Sequence, residues 1–304
     1  MKIKFWGVRG SIPCPGPDTV QFGGNTACIE IRFGERLIII DAGSGVRALG
    51  DYVVRNDLKK GPIKTELFIT HTHWDHIMGF PFFTPIYIPG TQIKIYGPVT
   101  YEDEGLDRII GDQLTYRYFP VKHSELAANI TYFPQKENTM DLGDGITLTT
   151  KYLNHPILCL GYKFHHNGKT FCTLYDTEPF RNVFPTDPND PNYDAIAAKE
   201  GEQSAREENE KILEFIEGVD LLVYDAQYTN KEYESSKLGW GHSSMEYALN
   251  SCHKAKVGKV LLFHHDPLRT DAQLLELESG FQQRLKGKSA LQIEFAREGA
   301  EFEL

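Results

Sequence analysis

Paired cysteines are missing from this 304-residue chain. Its five cysteines (Cys14, Cys28, Cys159, Cys172 and Cys252) are odd in number, widely spaced and contain no CxxC pair. That argues against a disulfide framework and fits free thiols in a reducing compartment. Long apolar runs are missing too: none approaches the roughly 20 residues a membrane span requires. Residues 1–7 turn polar and glycine/proline-rich too early for a signal peptide. Nor is there a surplus of positive charge, since 32 Lys and Arg face 42 Asp and Glu for a formal charge of −10. Proteins that grip long nucleic acid usually present a basic surface. The expectation is therefore a cytoplasmic protein without a membrane or long nucleic acid as partner. A small anionic substrate stays open, because charge at a site outweighs a distant surface field. Low-complexity tracts and heptad arrays are also absent.

What is present is ordinary for a folded domain: 24% charged and 40% hydrophobic residues, in a chain long enough to bury a substantial core. Short β-patterned runs fall at 2–5, 27–33, 36–40, 66–70, 92–96, 146–152, 161–166, 169–175, 221–224, 259–263 and 291–295. Helical patterns at 45–56, 101–110, 204–216, 243–252 and 271–286 separate several of them. Such alternation points to a layered α/β or α+β domain. Two segments share one form. Phe33-Gly34-Glu35-Arg36 leads into an apolar strand and Asp41; Asn167-Gly168-Lys169 leads into another and Asp176. This hints at two related halves. Residues 179–203, rich in Pro, Asp, Asn and Glu, read as an exposed insertion near the site mouth rather than a linker, which leaves one domain over 1–304.

The chemistry concentrates where strands end. The strand at 66–70 runs into His71, that at 146–152 into His155, that at 169–175 into Asp176. Those at 221–224 and 259–263 run into Asp225 and His264-His265. Singly, a His or Asp after a strand is ordinarily a turn former or a satisfied polar residue. The cluster His71-Thr72-His73-Trp74-Asp75-His76 shifts that balance, because three imidazoles gain little from proximity unless they share a cation. In an extended stretch His71 and His73 point to one side and can reach one ion. Asp75 and His76, on a turn into a helix, can face a second. Imidazole with carboxylate suits zinc, iron or manganese. Seven candidate ligands (His71, His73, Asp75, His76, His155, Asp176 and His264) exceed what one tetrahedral ion uses. They suit two ions sharing a carboxylate and a hydroxide.

The HxHxDH motif, followed in order by His155, Asp176 and His264, resembles the metallo-β-lactamase superfamily over roughly residues 2–266. The resemblance implies a four-layer αββα sandwich, two mixed β-sheets flanked by helices, with a dinuclear site at one sheet edge. It implies that His71, His73 and His155 hold the first ion, that Asp75, His76 and His264 hold the second, and that Asp176 bridges them. Asp41 would support the metal loop from behind. His265 is either a neighbour of the ligands or a substrate contact, and Cys172, inside a strand, reads as core. Zinc is the expected metal, with iron or manganese as alternatives.

Tyr224-Asp225-Ala226-Gln227-Tyr228 and Gly239-Trp240-Gly241-His242-Ser243-Ser244 resemble segments of the ribonuclease Z-like phosphodiesterase branch, which also holds cyclic phosphodiesterases. The resemblance implies a metal-bridged hydroxide attacking phosphorus, His242 supplying the leaving-group proton and Asp225 holding its ring. The plainer alternative has His242 capping the helix near Ser243 and Asp225 binding backbone. Residues 7–13 and 22–26 resemble a subgroup of bacterial hydrolases of this branch. Arg9 there is either a phosphate contact or a structural arginine. No protruding basic arm for gripping tRNA is visible, and the acidic segment 187–202 would repel a phosphate backbone. The expected substrate is therefore a small or cyclic phosphodiester, and relatives of this branch point to a homodimer. Two other functions fit the ligands: a di-iron oxygen-binding or redox sensor, and a thioester or lactam hydrolase.

Overall fold

The computed structural model describes residues 1–98, 105–287 and 289–304. Two mixed seven-stranded sheets pack face to face between helices. The first half supplies β1 (Lys2–Gly7), β2 (Cys28–Phe33), β3 (Arg36–Ile40), β4 (Lys64–Phe68), β5 (Gln92–Pro98) and β6 (Asn129–Gln135). The second supplies β7 (Thr139–Gly143), β8 (Ile146–Leu153), β9 (Cys159–His166), β10 (Lys169–Leu174), β11 (Leu221–Asp225), β12 (Lys259–Phe263) and β13 (Gln292–Phe295). A last strand, β14 (Glu301–Glu303), returns to pair with β1, giving the orders β14-β1-β2-β3-β4-β5-β6 and β13-β12-β11-β10-β9-β8-β7. The helices are α1 (Val46–Asn56), α2 (Trp74–Ile77), α3 (Leu106–Gly111), α4 (Ala195–Phe215), α5 (Asn230–Glu232), α6 (Met245–Lys254) and α7 (Asp271–Leu285).

Strand alternation explains the layering. On β3, Ile38 and Ile40 face the space between the sheets, while Leu37 and Ile39 pack under Val46, Leu49 and Val53 of α1. On β11 and β12, Leu221, Val223, Leu261 and Phe263 face inward, while Leu222, Tyr224, Val260 and Leu262 meet α4, α6 and α7. Strands covered on both faces read as unbroken apolar runs, which is why their sequences carry so few polar residues. Cys172 lies in the layer under these helices, as read from the sequence. No described helix is long and apolar enough to cross a membrane.

The two halves share a topology. In each, an antiparallel hairpin (β2–β3, β9–β10) hands over to parallel strands, β3 to β4 and β10 to β11. The matched hairpins seen in the sequence are these two.

Several boundaries differ from the sequence reading. The strands β6, β7 and β14 went unread. β6 and β7 end their sheets, so only one side is paired, and an edge strand tolerates Pro134 and frequent polar residues. The strand expected at 66–70 is β4 over Lys64–Phe68, because the Thr70 amide leaves the ladder for the Asp41 carboxylate at 2.7 Å. The helix expected at 204–216 begins earlier, at Ala195, where the Asp194 carboxylate accepts from the Ile196 and Ala197 amides. Residues 195–203 are thus helical. Of the helix expected at 101–110, residues 101–104 lie outside the described residues and the remainder corresponds to α3.

Phe263 is fully buried between the sheets and stacks on Tyr175, ring centroids 4.5 Å apart and nearly parallel. Each precedes a site residue, His264 and Asp176. Phe263→Ala should cost about 3–5 kcal/mol of stability, read as a lower urea midpoint at unchanged slope. A loss below about 1 kcal/mol, the range of ordinary substitutions, would contradict this packing.

Candidate metal centre

All the strands that carry chemistry end at one edge of the sandwich. β10, β11 and β12 run parallel, and β8 runs the same way two strands over; their ends deliver Asp176, Asp225, His264 and His155. From the other sheet, parallel β3 and β4 deliver Asp41 and the His71–His76 loop. That loop is fastened at its root, since the Tyr162 hydroxyl donates to the Ile69 carbonyl at 2.6 Å and the Leu160 amide to the Thr70 carbonyl at 2.9 Å.

Asp41 governs the loop's shape. It adopts a left-handed conformation (φ 61°), one that Asp accepts more readily than most residues. Its carboxylate takes the Thr70 amide at 2.7 Å, the Thr70 hydroxyl at 2.8 Å and the Nδ1–H of His76 at 2.7 Å. With Nδ1 so occupied, His76 presents Nε2 to the cluster. The backbone amide of Ser11 fixes Asp75 Oδ2 at 2.7 Å. His264, also left-handed (φ 63°), lies flush against Gly10, where a Cβ would stand 2.5 Å from its ring.

The side chains gather into two groups that share one member. His71, His73, His155 and Asp176 bring their donor atoms within 4.8 Å of one another, and so do Asp75, His76, Asp176 and His264. Asp176 Oδ2 lies 3.4 Å from His71 Nε2 and 4.0 Å from His155 Nε2. Its Oδ1 lies 3.4 Å from His76 Nε2 and 3.3 Å from His264 Nε2. Donors about 3.4 Å apart are what metal bonds of about 2.1 Å in a tetrahedron require. Independent of distance, His71 Nε2, His76 Nε2 and Asp176 Oδ1 are buried without a hydrogen-bond partner. Buried polar atoms are rarely left so, and these converge on the same space. The seven residues read as ligands come together there, and they fit two divalent ions.

Electrostatics fit a cation-holding cluster. Burial keeps His71 well below the ordinary imidazole value and lowers His155 to about 4, so both are neutral donors. His76 goes the other way: burial opposes its charge, but Asp176, Asp75 and Asp41 together raise its pKa well above normal. Asp75, although buried, is held ionised by His76 and His264.

Beside the second group lies the Asp225–His242 pair. His242 Nδ1 donates to Asp225 Oδ2 at 3.1 Å, and the His242 ring stacks on His264 at 4.9 Å. Asp225 also accepts the Thr177 amide at 3.1 Å and the Ser243 amide at 3.3 Å. The cap of α6 is Ser244, whose hydroxyl accepts the Tyr247 amide, so His242 does not serve as the cap.

The structure bears on two sequence expectations: it fits the structural reading of Arg9 and takes His265 away from the cluster. Arg9 is fully buried. It donates to the carbonyls of Gly23, Asp266 and Arg269 at 2.7, 3.2 and 2.7 Å, tying the amino-terminal loop to the turn after His264. A buried guanidinium engaged with these carbonyls does not face a substrate. His265 turns away from the cluster as well: its Nε2–H donates to the Ala296 carbonyl at 2.8 Å and its ring stacks on Phe295. Unread in the sequence were Gly10, Ser11 and Glu178, which act through backbone groups remote in sequence. For Ser11 the one available signal was its glycine-rich surroundings.

A sequence model of the metallo-beta-lactamase superfamily matches residues 22–150, the segment that holds Asp41 and the HxHxDH loop. Over that segment the chain resembles the metallo-beta-lactamase superfamily. It is 24% identical to the ribonuclease Z of Thermoplasma acidophilum over 97% of this chain and 96% of that protein. Its fold matches the metallo-beta-lactamase fold protein YhfI of Bacillus subtilis (TM-score 0.66, 17% identity, 100% of this chain, 98% of that one). It also matches the short form of human tRNase Z (TM-score 0.62, 18% identity, 100% and 99%). Within the superfamily its likeness is to the ribonuclease Z-like branch. This overturns the expectation of no long nucleic acid partner, since the relative just named is a ribonuclease. The physical error was to treat net charge as a map of the site: a formal −10 averages the whole surface, whereas binding follows the local field at the cluster.

The Asp225–His242 pair makes a pH prediction for the metal-free protein. Burial opposes charge on His242, but Asp225 outweighs it and raises the imidazole to about 9 from 6.5. Between those values the folded chain holds more protons than the unfolded one, so stability falls as pH rises. This contribution is complete below pH 6.5 and lost as pH passes about 9. Replacing His242 by Gln should flatten that decline in the urea midpoint. Equal slopes for the two proteins would contradict the assignment.

Proposed function

We propose that this chain is a metal-dependent phosphodiesterase with a dinuclear centre. His71, His73 and His155 would hold one ion and Asp75, His76 and His264 the other, with Asp176 common to both groups. Zinc is the proposed metal. The observation that carries this reading is the position of His242, hydrogen-bonded to Asp225 and stacked on His264, directly beside the doubly shared Asp176. Likeness to a ribonuclease Z supports the same reaction class.

The chemistry a pair of divalent ions supplies when bound is polarisation of a phosphoryl group and activation of water. The remaining work falls to the protein. Asp225 takes the Nδ1–H of His242 and so leaves the other ring nitrogen to carry a proton. An alkoxide leaving from phosphorus is a poor leaving group, and His242 delivers that proton to its oxygen. Thr177 and Ser243 hold Asp225 through their amides, which fixes the carboxylate in its buried position. An oxygen-binding or lactam-cleaving reading gives the pair no task.

A cavity of about 410 Å³ opens beside His155, lined by Pro156, Phe180, Arg181, Val183 and Gly241 among others. It gives room for a substituent on the phosphodiester. We propose a small or cyclic phosphodiester among the substrates, alongside rather than instead of RNA. The test is a panel of bis-p-nitrophenyl phosphate, cyclic nucleotides and a precursor tRNA, after loading with zinc, manganese or iron. Cleavage of at least one is expected. His242→Ala should lower kcat about 10²–10⁴-fold while metal content stays at the wild-type level. Failure to cleave any member with every metal would overturn the proposal.

A further inference from the structure

Glu178 lies two residues beyond Asp176 and is buried, yet it touches none of the candidate ligands. Its carboxylate is saturated by donors from elsewhere. Oε1 accepts the Tyr233 hydroxyl at 2.6 Å, the Gly239 amide at 2.8 Å and the Arg181 guanidinium at 2.6 Å, and Oε2 accepts the Gly241 amide at 2.9 Å. Two of those donors are amides of the turn that carries His242. The same turn holds His155, because the carbonyl of Gly241 accepts the His155 Nδ1–H at 2.9 Å. Gly241 has φ +80°, and a Cβ there would stand 2.4 Å from the His155 ring. The turn is therefore shaped to press against this imidazole. Glu178 is also pinned at its own backbone, its amide donating to the Asn154 carbonyl next to His155 at 2.9 Å.

We propose that Glu178 is a positioning residue: it latches the Gly239–Gly241 turn and through it fixes the tautomer and direction of His155 and the placement of His242. The inference rests on the metal-centre reading above. A carboxylate is required, because every partner donates and an ionised carboxylate alone offers only acceptors. Glutamine of the same shape would turn one acceptor into an N–H and face it toward a donor. The latch thus links the first group of ligands to the residue proposed to give the proton, using one buried charge. Partners at this remove from a metal typically alter affinity or activity 10–100-fold.

Glu178→Gln and Glu178→Ala would be compared with wild type by two measurements. In metal-free protein, the His155 ring proton bonded to Gly241 should appear downfield by NMR in wild type and vanish in both variants. In cobalt titrations followed by visible absorption, one of two binding steps should weaken about tenfold or more, the other staying near wild type as an internal check on folding. Glu178→Gln preserves size and serves if Glu178→Ala does not fold. An unchanged His155 proton and unchanged cobalt steps in Glu178→Gln would overturn the proposal. Neither measurement involves a substrate, so failure of the latch and failure of the phosphodiesterase reading are distinguishable.

Discussion

One fully buried carboxylate has to satisfy imidazoles on both sides, and the rest of the site is arranged around that demand. Asp176 offers one oxygen to His71 and His155 and the other to His76 and His264. A carboxylate in so dry a place is costly unless cations surround it. The protein meets the demand in layers: Asp41 orients His76, Ser11 orients Asp75, Gly241 orients His155, and Asp225 stands beside His242. Asp41 and Gly241 each hold the outer nitrogen of an imidazole whose Nε2 faces the shared space, and Ser11 holds the Asp75 oxygen that itself faces His76 and His264. This aims the inner atoms at the shared space before any cation arrives, which is the preorganisation a metal site needs.

The sandwich makes the arrangement rigid. Parallel strands from both sheets end at one edge, so ligands separated by nearly two hundred residues converge without long loops. Tyr175 and Phe263 stack between the sheets, one residue before Asp176 and His264. The left-handed backbone at Asp41 and His264 lets the chain leave its strand abruptly and turn a side chain into the cluster.

How much of this could be read from residues alone depended on what kind of signal each carried. The clustering of these side chains was legible because HxHxDH is dense and because His155, Asp176 and His264 each end an apolar run. The layers were legible from those runs. Residues acting through backbone partners were not. Glu178 looks like any acid in a polar segment until the amides of Gly239 and Gly241 are seen to point at it. Arg9 left two readings open, a phosphate contact or a structural arginine, and only the carbonyls that claim the guanidinium favour the second. Edge strands such as β6 and β7 escaped because pairing on one side imposes little pattern.

The division of the ligands between the halves has a consequence for how the molecule comes together. One group draws His71 and His73 from the first half and His155 from the second; the other draws Asp75 and His76 from the first and His264 from the second, and both share Asp176. Neither half by itself offers a complete cage. An ion that binds tightly therefore recognises only a chain whose two sheets have already docked, and its binding energy adds to the cohesion between them. Metal supply and assembly are then coupled. Scarcity of the ion would loosen the sandwich along the seam between its halves, at the end where the strands deliver their ligands.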